Sequence, residues 1–152
     1  MRQLTEDGAY EVPEELKEKI QSLFWAGCCG DDETKRTIGR VWQEHHYLCD
    51  THTAVAWNVA QQYKAANPAH APVVVLSTAS PYKFPAAVLE GLGEKAEGDE
   101  FAVMEQLERL TGVPAPKNLR GLRERPVRHT TVLDREEMLP FVLEKAQEKK
   151  WF

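Results

Sequence analysis

The sequence predicts an α/β protein, rich in helix and with few parallel strands. Three observations carry that expectation. Between residues 13 and 66 apolar side chains recur at helical spacing. Val73-Val74-Val75-Leu76 is a continuously apolar, β-branched run between Pro72 and a polar turn, and it follows a helical pattern. Such a run is the signature of a central parallel strand covered on both faces. Pro126 to Leu133 reads as a second strand, and a helical pattern begins at Asp134.

In chain order, Glu6-Asp7-Gly8 marks a turn between short extended pieces that reach Val12. From Pro13 the pattern is helical, with Leu16, Ile20, Leu23 and Phe24 on one face and the proline in the first turn. Gly27 and Gly30 interrupt it. Asp31-Asp32-Glu33 then place negative charge at a helix start, where the dipole favours it. Ile38, Val41 and Trp42 mark the buried side of this helix, which should end near His46. A third helix is expected from about Thr51 to Ala66, capped by Asp50 or Thr51, with Val55, Val59, Ala60 and Tyr63 inward. Phe84 to Leu92 reads as a short helix ended near Gly91 and Gly93. Phe101, Met104, Leu107 and Leu110 give another, stopped at Gly112, and Pro114 and Pro116 make a bend. Met138, Val142 and Ala146 belong to the last helix.

With 152 residues the chain can bury a core without metals or disulfides, which fits one domain, 1–152, or a fragment of one. Two strands are few for a buried parallel sheet, so the sheet is expected to be completed by chain absent here. The formal net charge of -5 disfavours a nucleic-acid binder, and no apolar run approaches the length of a membrane span. Cys28, Cys29 and Cys49 make a poor disulfide framework and suit a cytoplasmic protein with reduced thiols. With His45, His46 and His52 they also lack zinc-ligand spacing, so no metal is expected. The basic residues Lys117, Arg120, Arg123, Arg125 and Arg128 read as a solvated face.

Chemistry is concentrated in Ser77-Thr78-Ala79-Ser80-Pro81-Tyr82-Lys83-Phe84-Pro85, where the expected strand meets a helix. Ligands of open α/β sheets bind beyond the carboxyl ends of strands, and hydroxyls there can hold an anion or a heterocycle. A capped strand-to-helix turn is the structural alternative. This segment resembles the Ser-Thr-Ala-His-Pro-Ala-Lys-Phe signature of the threonine synthase family. Asp50-Thr51-His52-Thr53-Ala54-Val55 is similar to the family's Asp-Pro-His-Thr-Ala-Val, and Asp32-Glu33-Thr34 to the acidic opening of the preceding helix. The three blocks stand in the family's order. Ser80 replaces the signature histidine, Tyr82 an alanine and Thr51 a proline.

The resemblance implies the C-terminal part of the large domain of a fold-type II pyridoxal-phosphate enzyme. It implies a lyase of threonine biosynthesis that converts O-phospho-L-homoserine and water to L-threonine and phosphate. Thr78, and after it Ser77, are the implied contacts to the pyridine nitrogen. Lys83, His52 and Ser80 are implied on the substrate side; for Lys83 and His52 a surface lysine and a helix-start hydrogen bond are the structural alternatives. The family's Schiff-base lysine lies in a Phe-Lys-Asp motif that does not occur in these residues, and no glycine-rich phosphate loop is present. The chain alone is therefore expected to be inactive. Its expected partner is the N-terminal portion of the same enzyme, or a second copy meeting it through exposed apolar surface. A non-catalytic interaction module that has kept the fold is the alternative from another class.

Overall fold

The computed structural model describes residues 2–69 and 71–148. The chain falls into two compact units, Met1–Pro116 and Lys117–Phe152.

Among its described residues the first unit contains six α-helices: α1 (Arg2–Asp7), α2 (Glu14–Gln21), α3 (Asp31–His45), α4 (Thr51–Ala66), α5 (Pro85–Gly91) and α6 (Glu100–Thr111). A single 3-10 turn, Pro81–Lys83, leads into α5. α3 is the hub of the core, with α4 and α5 packed on it and α6 packed on α5. Ile38 and Val41 from α3, Val88 and Leu89 from α5, and Val103 and Leu107 from α6 are buried together with Cys49 and Ala54. Full burial of each large aliphatic side chain contributes about 1.5–3 kcal/mol.

α3 and α5 approach closely because each offers a glycine at the crossing. A Cβ on Gly39 would stand 2.4 Å from the Gly91 carbonyl oxygen, and one on Gly91 would stand 2.9 Å from the Lys35 carbonyl oxygen. An ion pair between Lys35 Nζ and Glu90 Oε2, 2.6 Å, lies beside the crossing. α6 starts on an Asp99 side chain that accepts from the Ala102 N–H at 2.9 Å and ends at left-handed Gly112.

Helices 31–45, 51–66 and 85–91 agree closely with the expected boundaries. Other expectations are corrected. The N-terminal segment is helical over Arg2–Asp7 rather than extended, although Gly8 does make the turn with φ +70°. α2 forms, but Leu16, Ile20, Leu23 and Phe24 are exposed. The buried side of α4 is Thr53, Ala54 and Asn58, while Val55, Val59, Ala60 and Tyr63 are half-buried. α4 is apolar around most of its circumference, so periodicity could not select one face. Polar chemistry selects it instead: Asn58 Nδ2 donates to Glu33 Oε1 and Thr37 Oγ1, each at 3.2 Å.

Among the described residues there is no β-strand, so the parallel strands expected at Val73–Leu76 and Pro126–Leu133 are not formed. A strand exists through its ladder to a neighbour, and among the described residues neither run has one. Val74 is 82% and Leu76 73% exposed, whereas a covered central strand would bury both. The second unit holds a short α7 (Lys117–Arg120), a 3-10 turn (Arg135–Glu137) and α8 (Met138–Glu148). The expected start at Asp134 is corrected: that aspartate caps the 3-10 turn, with its N–H donating to Glu137 Oε2 at 3.0 Å, and α8 itself begins at Met138. No helix of the described residues is long and apolar enough to cross a membrane.

Candidate cofactor-facing site

The start of α4 is organised by one carboxylate. Asp50, 1% exposed, accepts from the backbone N–H groups of His52 at 2.8 Å and Thr53 at 3.3 Å. This satisfies amides that have no partner within the helix. The Thr53 hydroxyl makes a short hydrogen bond to Asp50 Oδ2, and His52 Nδ1 lies 3.2 Å from Oδ1. Burial pushes the Asp50 carboxyl up, but bonds from the Thr53 hydroxyl, the two backbone amides and the His52 side chain outweigh it. The result is a carboxyl held below its ordinary value. An ionised carboxylate only accepts, so His52 Nδ1 is the donor of that contact. The neighbouring Cys49 thiol is pushed up to about 11 by burial and by the Asp50 charge, which makes it a packing residue rather than a nucleophile at neutral pH.

From Thr53 the network continues to the expected motif. Thr53 Oγ1 and Ser77 Oγ are 3.2 Å apart, and the Tyr47 hydroxyl donates to Ser77 Oγ at 2.9 Å. Tyr47, Thr53, Val75 and Ser77 line a cavity of about 300 Å³ together with Val41, Cys49 and Trp57. Thr78 is exposed, and among the described residues its hydroxyl has no hydrogen-bond partner. Ser80 is used locally: its Oγ accepts from the Tyr82 N–H at 3.2 Å and caps the 3-10 turn. Tyr82 is 3% exposed, and its hydroxyl donates to the Val113 carbonyl, tying the motif to the chain beyond α6.

A second cluster gathers the remaining expected residues. Lys83 Nζ stands 5.3 Å from the centroid of the Phe84 ring, and the His52 ring lies 5.8 Å from it. His52 and Phe84 border a cleft of about 580 Å³ with Thr51, Val55, Asp31 and Lys35. The fold thus brings Ser77 and His52 into one hydrogen-bonded group through Asp50 and Thr53, while Lys83 and His52 each approach the Phe84 ring. Thr78 and Ser80 stand outside that group. Sequence reasoning missed Tyr47 and Thr53. The Asp50/Thr53 spacing is a capping signal and could have exposed Thr53. Tyr47 is 30 residues from its partner and carried no local signal.

Residues 53–142 match the family model described as threonine synthase, C-terminal. The chain belongs to the threonine synthase family. It corresponds to the C-terminal part of that family, whose matched stretch opens on Thr53 and contains the whole Ser77–Pro85 motif. Among solved structures it is similar to the PLP-bound threonine synthase from Brucella melitensis, with a TM-score of 0.73 and 30% identity. That likeness covers 97% of this chain and 27% of the other. Among curated proteins, threonine synthase-like 2 of Homo sapiens is 34% identical over 89 residues, 59% of this chain and 18% of the relative. Threonine synthase-like 1 of Mus musculus is 36% identical over 80 residues, 53% of this chain and 10% of the relative. The chain thus spans less than a fifth of the length of these curated relatives.

Proposed function

We propose that this chain supplies one wall of a threonine synthase active site, and that the complete enzyme converts O-phospho-L-homoserine and water to L-threonine and phosphate. The observation that carries the reading is the hydrogen-bonded group joining Asp50, Thr53 and Ser77, because it ties the two family motif blocks together through a buried carboxylate. Pyridoxal phosphate, present in the Brucella melitensis neighbour, is the cofactor the reading requires. The residues here fit one edge of it. The exposed hydroxyls of Ser77 and Thr78 suit a heteroaromatic nitrogen, and nothing in the sequence offers a glycine-rich phosphate cup or a Phe-Lys-Asp lysine. When bound, the cofactor withdraws electrons from the substrate carbon framework.

The chain's own residues have narrower tasks. Ser77 and Thr78 orient the ring. Lys83, with its ammonium over Phe84, offers positive charge to a phosphorylated substrate. His52 borders the cleft, and Ser80 fixes the turn that carries Lys83. The partner is the portion of a threonine synthase that bears the lysine and the phosphate cup.

Complementation tests the reading. The full chain is mixed with that portion, pyridoxal phosphate and O-phospho-L-homoserine, and phosphate release and threonine are followed. Turnover is expected only from the mixture, and Lys83→Ala should mainly raise KM. A mixture that associates yet releases no phosphate contradicts the assigned reaction. Failure to associate contradicts the assigned partner.

A further inference from the structure

The turn between α5 and α6 is exposed, yet its backbone is fixed from both sides. The Glu94 N–H donates to the Leu89 carbonyl at 2.9 Å, closing α5 behind Gly93, which is left-handed at φ +86°. Gln106 of α6 clamps the residues that follow with both ends of its amide. Its Nε2 donates to the Lys95 carbonyl at 2.8 Å, and its Oε1 accepts the Glu97 N–H at 3.3 Å. Beside this clamp lies a cavity of about 250 Å³ lined by Glu94, Gln106, Arg109 and Leu110. The last three share one face of α6, as helical neighbours at i, i+3 and i+4 do. The cavity has no lining residue in common with the one at Ser77 or with the cleft at His52.

Two opposite charges border this cavity without meeting. Among the described residues neither the Glu94 carboxylate nor the Arg109 guanidinium has an ion-pair or hydrogen-bond partner. Arg109 lies in the last turn of α6, where a positive charge suits the helix end. Glu94 stands just past the carboxyl end of α5, where a negative charge is disfavoured and a cation is wanted. We propose that the cavity binds a small zwitterion, an α-amino acid with a short side chain. Arg109 takes the carboxylate, which its planar fork matches, and Glu94 takes the ammonium. Leu110 packs against the substituent. An anion alone leaves Glu94 unpaired and a cation alone leaves Arg109 unpaired, so a ligand carrying both charges is preferred to either. The volume lies below the roughly 300–1,000 Å³ of pockets for drug-sized ligands, which suits an occupant of few heavy atoms. Because the turn is already pinned, little backbone ordering opposes binding.

L-Threonine, the product of the proposed reaction, serves as the probe, although binding at this cavity does not depend on that reaction. It is titrated into the full chain at neutral pH and low salt while the backbone amide signals of Glu94, Gln106, Arg109 and Leu110 are followed by NMR. Saturable shifts centred on this group are expected at millimolar ligand, the weak affinity that exposed charge pairs give. N-acetyl-L-threonine lacks the ammonium and L-threoninamide lacks the carboxylate, and each should bind roughly three- to fivefold more weakly. Added salt should weaken threonine binding. Both charged positions are exposed, so Glu94→Gln and Arg109→Gln should fold and lose affinity to a similar degree. The exchanged pair, Glu94→Arg with Arg109→Glu, should recover it, because a zwitterion can lie the other way round. Absence of saturable shifts at these signals, equal binding of the blocked derivatives, or undiminished binding to either single variant would overturn the proposal. Failed complementation with threonine binding intact would instead overturn the assigned reaction and leave this site standing.

Discussion

Asp50 caps α4 and also terminates the hydroxyl chain that reaches Ser77, so one residue ties helix stability to site geometry. Asp50→Ala should destabilise the chain by about 1–2 kcal/mol in chemical denaturation, the upper range of cap losses, since the Thr53 hydroxyl is left without its carboxylate. Asp50→Asn should cost less, because asparagine also caps well. The pH dependence separates charge from capping. The folded carboxyl lies below its ordinary value, so its charge-dependent stabilisation is fully present above the unfolded pKa, about 3.9. It is lost as pH falls through the lower folded value. The gap between wild type and Asp50→Asn should therefore be largest above about pH 5 and close in more acidic buffer. Much of this was legible in advance: an aspartate before a helical pattern reads as a cap. The role of Tyr47 was not, because the loop that returns the chain to Ser77 is a tertiary event.

At the scale of elements, the helices were legible where caps and breakers agreed with periodicity, as at Asp50 and Gly112. They were misjudged where one of these was silent. The α4 face was unreadable because alanine, valine and tryptophan surround the helix, and Asn58, a residue that sequence patterns assign to solvent, proves to be the inward anchor. The α3–α5 crossing gave no sequence signal either, since Gly39 sits within a helical pattern and Gly91 at a helix end. Its consequence is sharp. Gly39→Ala places a methyl against the Gly91 carbonyl oxygen, a rigid backbone atom, and should cost about 1–3 kcal/mol despite alanine's better helix propensity. A thermal denaturation showing Gly39→Ala as stable as wild type would mean that the two helices do not meet at this pair. Val73–Leu76 teaches the complementary lesson. Its composition specifies a strand, yet composition cannot supply the neighbour that makes one.

Across the whole molecule, the apolar surface is more extensive than the buried core requires. In the first unit Leu16, Ile20, Leu23, Phe24, Val74 and Leu76 are exposed, and in the second Met138, Leu139, Val142 and Leu143. Leu16 and Ile20 share one face of α2, and Met138, Leu139 and Val142 one face of α8, and an exposed apolar helix face of this kind is suited to being covered. The most direct test of the central claim, that this chain is one wall of the site and holds no cofactor-bonding lysine, is borohydride trapping after incubation of the full chain with pyridoxal phosphate. Mass mapping of the trapped adduct should find only slow, substoichiometric labelling spread over several surface lysines, unchanged by Lys83→Ala. Stoichiometric labelling of one lysine, abolished by Lys83→Ala, would contradict the account.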